Sequence, residues 1–272
     1  MEIFDGNAHA QILEEKIKEF LKNHSSVVGE NALKLGIVQI GNNPSSKTYV
    51  NLKKKFCDSV GISVAILSID DNLLDVAIID QVRDFFADPS VLSGIVQLPL
   101  PRKSLEPVLG VIPVEKDLDL LSPESKRRFY AGDFSRLPPT VRAFDYFLEH
   151  TELDQEQPTI GVVGYGELVG RPLSHYCSVS GYCTEVIGYY KNQTKLDYQV
   201  LVLSAGIPLL VDPQNLAKGT SVVDFGYSKI GNKTVGDLDM SKNLDHLRFI
   251  SPSVGGMGPL VVRFLIMNFL GI

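Results

Sequence analysis

A tyrosine and a lysine stand four residues apart in the stretch Tyr49-Val-Asn-Leu-Lys53. On a helix, that spacing puts both side chains on one face. The preceding Gly41-Asn-Asn-Pro-Ser-Ser46 is rich in turn formers and predicts a helix start. An aromatic hydroxyl beside an amine on a rigid element suits proton transfer or stacking on a planar substrate. Lys54 and Lys55 follow directly, so the same spacing also describes a plain solvated face. A second candidate is rich in glycine. Gly161-Val-Val-Gly164-Tyr165-Gly166-Glu-Leu-Val169-Gly170-Arg171-Pro172 falls between a predicted strand and a predicted helix. Glycines in that context let the backbone approach a pyrophosphate at a helix N-terminus; the alternative is a plain tight turn. Gly164 and Gly166 match the first positions of the dinucleotide fingerprint, but the third glycine arrives one residue late, at Gly170. The acid that commonly grips a ribose is missing from the end of the next strand, Gly188-Tyr-Tyr-Lys191-Asn192, where Lys191 could meet a 2′-phosphate.

These residues need a scaffold, and the chain is long enough to supply one. Its 272 residues fit one large domain or two of ordinary size. An apolar share of 44% and a charged share of 21% describe an ordinary globular chain with material for a core. A net charge of −6 argues against nucleic acid as the main partner. Cys57, Cys177 and Cys183 are odd in number, lack C-x-x-C spacing and read as reduced thiols in a cytoplasmic setting. The N-terminus shows no signal peptide, and no apolar run reaches the length of a membrane span. The scattered histidines make no metal-binding pair, so no metal is expected.

Periodicity predicts a helix over about Ala8–Lys22, a strand over Leu33–Ile40, the Tyr49–Lys53 helix running to Val60 with Gly61 as its stop, and a strand over Ile62–Ile69. A helix over Asp75–Phe86, a strand in Gly94–Pro101 and a helix near Leu105–Leu109 follow. Asp117–Pro139 has no clean period and reads as a long connection, before a helix over Val141–Leu148. The alternation then restarts, with strands at Thr159–Gly164, Thr184–Tyr190, Val200–Ser204 and Ser221–Phe225, and a helix over Val169–Ser178. A hairpin-like piece at Thr234–Val235 and a closing helix over Met257–Leu270 complete the chain. Strands alternating with helices at this spacing indicate an α/β fold with parallel sheets.

Several of these segments, in order, resemble one family, the methylenetetrahydrofolate dehydrogenase/cyclohydrolases. Ser46-Lys-Thr-Tyr49-Val-Asn-Leu-Lys53 is similar to that family's S-x-x-Y-x-x-x-K segment, and Gly94-Ile-Val-Gln97-Leu98-Pro99-Leu-Pro101 to its glutamine-bearing strand and Pro-Leu-Pro turn. Glu115-Lys-Asp-Leu-Asp119 resembles K-D-V-D-G, and Gly164–Pro172 resembles G-R-S-x-x-V-G-x-P. Val222-Val-Asp-Phe-Gly226, Val235-Gly-Asp237 and Ser251-Pro-Ser-Val-Gly255-Gly256-Met-Gly-Pro259 resemble V-I-D-V-G, V-G-D and T-P-V-P-G-G-V-G-P.

The resemblance implies two α/β domains with a cleft between them: a folate domain, residues 1–142 plus 252–272, and a Rossmann-like nucleotide domain, residues 143–251. It implies oxidation of 5,10-methylenetetrahydrofolate with NADP or NAD, hydrolysis of the methenyl product to 10-formyltetrahydrofolate, and a homodimer. Tetrahydrofolate derivatives are the expected partners, with neither nucleic acid nor membrane. By the same resemblance Lys53, Gln97, Tyr49 and Asp119 carry the chemistry. Ser46, Leu98, Pro99, Gly255, Gly256 and Pro259 join Tyr49 and Asp119 around the folate. Gly164, Tyr165, Gly166, Val169, Gly170, Arg171, Pro172, Lys191, Asn192, Ala205 and Gly206 hold the nucleotide. The residue types suit these roles. A lysine can take a proton from water only if its pKa falls well below about 10.4. A neutral glutamine holds the amine without restabilising its charge, and a carboxylate accepts paired N–H donors from a pterin.

Departures fall at Tyr165 and Gly166, where the family has Arg and Ser, and at Leu120, where it has Gly. Val254 and Val261 replace a proline and a threonine. The nucleotide preference is therefore open, and a degenerate member that binds folate or nucleotide with an activity lost is the alternative reading. A short-chain dehydrogenase also carries Tyr-x-x-x-Lys, but there the glycine turn precedes the pair, whereas here it follows.

Overall fold

The structure, a computed structural model, describes residues 1–24, 34–153, 157–191 and 194–272. The chain forms two compact units, Met1–Leu13 with Pro138–Phe264, and Glu14–Leu137 with Leu265–Ile272. The first elements are strand β1 (Glu2–Ile3) and helix α1 (Gly6–Asn23). This division differs from the stretches drawn on sequence, because β1 pairs with a strand of the later part of the chain and so binds the N-terminus to it.

In the unit that begins at Glu14, strands β2 (Lys34–Ile40), β3 (Val64–Ile69) and β4 (Val91–Val96) form a parallel sheet in the order β3-β2-β4. Leu33, expected to open β2, lies outside the described residues. Helix α2 (Pro44–Val60) links β2 to β3, and α3 (Asp75–Ala87) links β3 to β4. The start of α2 is specified locally. Asn43 accepts from the amides of Ser45 and Ser46 at 2.9 and 3.1 Å, and Pro44 occupies the first turn, where its missing N–H costs nothing. Gly61 ends the helix in the left-handed conformation, φ +80°. A 3-10 segment, Lys103–Val111, follows β4 where a helix was expected.

The expected long connection after Asp117 holds a helix, α4 (Pro123–Tyr130). Its caps are legible, with Ser122 as N-cap and Pro123 next, but its faces are polar apart from Phe129, so no apolar period betrays it.

The other unit, which already holds β1, continues with α5 (Pro139–Glu149), followed by β5 (Ile160–Val163), α6 (Gly170–Val179), β6 (Thr184–Ile187), β7 (Val200–Leu203) and β8 (Ser221–Asp224). A hairpin of β9 (Ser228–Ile230) and β10 (Lys233–Val235), strand β11 (Phe249–Ser251) and helix α7 (Met257–Leu270) complete the chain. The sheet runs β1-β11-β8-β7-β5-β6 and is parallel throughout. Strands β5, β7 and β8 are buried along their whole length, as the continuous Val/Ile/Leu runs of a sheet covered on both faces require. The expected strand over Thr184–Tyr190 stops at Ile187. Among the described residues, no helix is long and apolar enough to cross a membrane.

Candidate active site

Lys53 lies on the buried stripe of α2 with Ser46, Val50 and Cys57, whereas Lys54 and Lys55 are exposed. The solvated-face reading therefore holds for its neighbours and fails for Lys53, which is only 8% exposed. Its Nζ donates to Gln97 Oε1 at 2.9 Å. Gln97 is the first residue after β4; its own N–H donates to the Val38 carbonyl of β2 at 2.8 Å, and its side-chain Nε2 donates to the Leu98 carbonyl at 2.8 Å. One N–H of the amide is thus spent locally, and its oxygen is aimed at the lysine. Ser46 Oγ donates to the same Leu98 carbonyl at 3.4 Å, joining the start of α2 to the Leu98-cis-Pro99 turn. Tyr49, one turn before Lys53, is half-buried. Beyond the turn, Arg102 donates from Nε to Asp75 at 2.8 Å and from Nη2 to the Leu73 carbonyl at 2.8 Å, and also reaches the Asp71 carbonyl. These bonds stake the end of the Gln97–Pro101 loop to the segment before α3.

Asp119 reaches the same site on a loop held by Asp117. The Leu118 N–H donates to the Gly94 carbonyl at 3.1 Å, and the buried Asp117 carboxylate accepts from the amides of Leu121 and Ser122 at 3.2 and 2.7 Å. Leu120 sits at φ +56°, the left-handed conformation a glycine takes readily. Leu120 and Asp117 are among the residues lining a cavity of about 290 Å³ whose lining includes none of Tyr49, Lys53, Gln97 or Asp119.

In the other unit, the glycines from Gly164 to Gly170 form a cradle. Gly164 adopts φ +97°, and a Cβ there would lie 2.6 Å from Ala205 N. A Cβ at Gly170 would overlap the Gly164 carbonyl, while Gly166 faces open space. Val169 is the N-cap residue of α6, and Gly170, Arg171 and Pro172 form its first turn. This closeness of bare backbone at a helix N-terminus fits a pyrophosphate. Val163 and Ile187 are paired in register, so Tyr165 and Tyr189 follow adjacent strand ends; both are exposed. The Arg171 guanidinium lies 5.4 Å over the Tyr165 ring and pairs with Glu167. Lys191 Nζ lies 5.9 Å over Tyr189. Asn192 is outside the described residues.

Two family models cover nearly the whole of this arrangement: tetrahydrofolate dehydrogenase/cyclohydrolase, catalytic domain, over residues 4–119, and its NAD(P)-binding domain, over residues 138–272. The bifunctional protein FolD of Aquifex aeolicus is 30% identical over 98% of this chain and 94% of its own. The chain belongs to the tetrahydrofolate dehydrogenase/cyclohydrolase family. A solved FolD from Campylobacter jejuni is 27% identical, with a TM-score of 0.87 over 100% of this chain and 98% of its own. The Trypanosoma brucei FolD, solved with NADP and an inhibitor, has the same fold at 23% identity and a TM-score of 0.87 over 98% and 95%.

Burial shifts Lys53 and Asp119 in opposite directions. Burial pulls the Lys53 ammonium below its ordinary range, while the Asp119 carboxylate and Cys57 oppose that pull. Burial raises Asp119 to about 6, against the opposing effect of Lys53, and nearby Asp117 adds to the rise. Burial also pushes the Cys57 thiol up to about 12, so it is inert beside the lysine.

The structure gathers Ser46, Tyr49, Lys53, Gln97, Leu98, Pro99 and Asp119 in one compact unit. Gly255, Gly256 and Pro259 belong to the unit that carries the glycine turn, where Gly256 packs so closely on Gly6 that a Cβ on Gly6 would overlap its carbonyl. The N–H groups of Ala205 and Gly206 are taken by Asp237 Oδ2, at 2.7 and 3.0 Å. Sequence reasoning gave no role to Asp117, Asp224, Asp237 or Arg102. For Asp224 the signal was present: an acid following Val222-Val223 at the end of a buried strand must be bonded.

Proposed function

We propose that this chain oxidises 5,10-methylenetetrahydrofolate to the methenyl form with NAD(P) and hydrolyses the methenyl form to 10-formyltetrahydrofolate. The observation that carries the reading is the buried Lys53 Nζ held at 2.9 Å by a neutral amide oxygen. Asp119, ionised, accepts paired N–H donors of the pterin and fixes its plane; Tyr49 borders the ring. Gly164–Pro172 would hold the nucleotide, which would supply the acceptor for the hydride whose loss leaves the bridge carbon cationic. Water then adds to the cationic bridge, and neutral Lys53 takes the proton that the water loses. The bond from the bridge carbon to N5 breaks as the hydroxyl proton passes to N5, leaving the formyl group on N10. Gln97 keeps the amine oriented throughout without the charge that would hold it protonated.

The test is a dehydrogenase assay with NAD and NADP in parallel, read as absorbance of the reduced nicotinamide, beside a hydrolysis assay on the methenyl compound. Both activities are expected, and Lys53→Met is expected to abolish hydrolysis in a protein that stays folded. Absence of turnover with either nucleotide removes the dehydrogenase assignment and leaves the degenerate binder. Unchanged hydrolysis in Lys53→Met removes the lysine from the mechanism. Kinship with the family further supports a cytoplasmic homodimer, for which light scattering should give twice the mass of the 29.9 kDa chain.

A further inference from the structure

The turn that follows β7, Ala205-Gly206, carries no polar side chain of its own; Gly206 adopts φ +66°, and its carbonyl accepts from the Ser228 hydroxyl at 3.1 Å. Its position is nevertheless fixed from behind. Asp237 Oδ2 accepts from the Ala205 N–H at 2.7 Å and from the Gly206 N–H at 3.0 Å. Asp237 is wholly buried, and its Oδ1 has no hydrogen-bond donor. Asp237 is itself held. Asp224, at the end of β8, accepts from the backbone N–H of Asp237 at 3.2 Å, of Leu238 at 3.0 Å and of Gly226 at 2.8 Å. The two acids are packed among glycines. A Cβ at Gly226 would overlap Asp237 Oδ1, and one at Gly236 would overlap Asp224 Oδ2. On its other side the Ala205 backbone lies against Gly164, the first glycine of the nucleotide cradle, leaving no room for a Cβ.

We propose that Asp237 is the positioning residue of the nucleotide cradle. Its carboxylate holds the Ala205–Gly206 backbone against Gly164, and Asp224 holds Asp237 in place. A buried carboxylate bonded to backbone amides makes charge-assisted bonds, roughly twice as strong as neutral ones. Without it, the turn carries two unsatisfied amides and a left-handed glycine, so the wall behind Gly164 loosens. The role is indirect: Asp237 is wholly buried and acts through the turn rather than by touching the nucleotide. The proposal rests on the reading of Gly164–Pro172 as the nucleotide site.

The test uses the full chain with Asp237→Asn and Asp237→Ala. NADP and NAD binding is titrated directly, Michaelis constants are measured for nucleotide and folate separately, and amide exchange is followed in a peptide spanning Ala205 and Gly206. In Asp237→Ala the nucleotide dissociation and Michaelis constants should rise about tenfold or more, the folate constant should change less than about twofold, and the turn amides should exchange faster. Asp237→Asn keeps an acceptor oxygen and should give a smaller rise, about threefold. If the Ala variant does not fold, the near-isosteric Asn variant decides. Nucleotide affinity within about twofold of the parent, or equal losses for folate and nucleotide, overturns the proposal. A parent protein that binds neither nucleotide refutes the functional reading instead, and the exchange measurement still reports whether Asp237 holds the turn.

Discussion

Replacing Gln97 by glutamate changes little but the charge facing Lys53. Size and reach are nearly unchanged, and the acceptor oxygen stays about where it now sits, 2.9 Å from Nζ. A carboxylate there would bind the ammonium and not the amine. Opposite unit charges about 4 Å apart attract by about 4 kcal/mol at an effective dielectric of about 20. At 1.36 kcal/mol for each pKa unit, that raises Lys53 by about three units. The neutral fraction near pH 7 then falls by about a hundred- to a thousandfold, and hydrolysis of the methenyl substrate should fall with it. The assay is the decay of methenyl absorbance across neutral and mildly alkaline pH, with Gln97→Ala as the control that removes the hydrogen bond without adding charge. Gln97→Glu should move the rising limb of the profile to higher pH; Gln97→Ala should lower the plateau and leave the limb in place. A Gln97→Glu protein with the parent's rate and the parent's pH profile would refute the claim that Lys53 works as a neutral base.

Asp119 titrates at about 6 and is ionised above that pH, so kcat/KM for the folate substrate should rise through about pH 6. In Asp119→Asn that limb should vanish; its survival would assign it to another group. Burial raises Asp224 from 3.8 to about 7, so the folded state holds a proton that the unfolded chain gives up. Its stabilising contribution is complete below the unfolded value and is lost as pH rises through about 7, by at most about 4 kcal/mol at 1.36 kcal/mol per unit. The melting midpoint should therefore drop between mildly acidic and mildly alkaline pH, with a flatter profile in Asp224→Asn. Gly170→Ala should weaken nucleotide binding by about tenfold or more, since the added methyl meets the Gly164 carbonyl and strain of 1–3 kcal/mol falls on the cradle. Nucleotide titration of the variant checks this.

Much of this site could be read from residue order. The Lys53–Gln97 pair was legible through the resemblance of Ser46–Lys53 and Gly94–Pro101 to segments of one family, and not through spacing. The parallel sheets were legible because buried parallel strands are written as plain apolar runs, such as Val200–Leu203. Strands β1 and β11 were not legible, because segments as short as Glu2–Ile3 and Phe249–Ser251 carry no period. Spacing alone could not separate Lys53 from Lys54, because Cys57 and Val50, which mark the buried stripe, are ambiguous without the sheet they face. The supporting acids escaped for a different reason. Asp117 and Asp237 bond to backbone amides, and backbone amides have no letter in a sequence.

That last point bears on how such turns are found. At Leu120 a leucine holds the backbone conformation that a glycine would mark, and the Asp117 carboxylate, reaching the amides of Leu121 and Ser122, keeps it there. A search keyed to the glycine passes over this turn. One keyed to an aspartate that accepts from amides four and five positions on would recover it. The loop's memory of its shape resides in the acceptor, and the residue at the bend is free to drift.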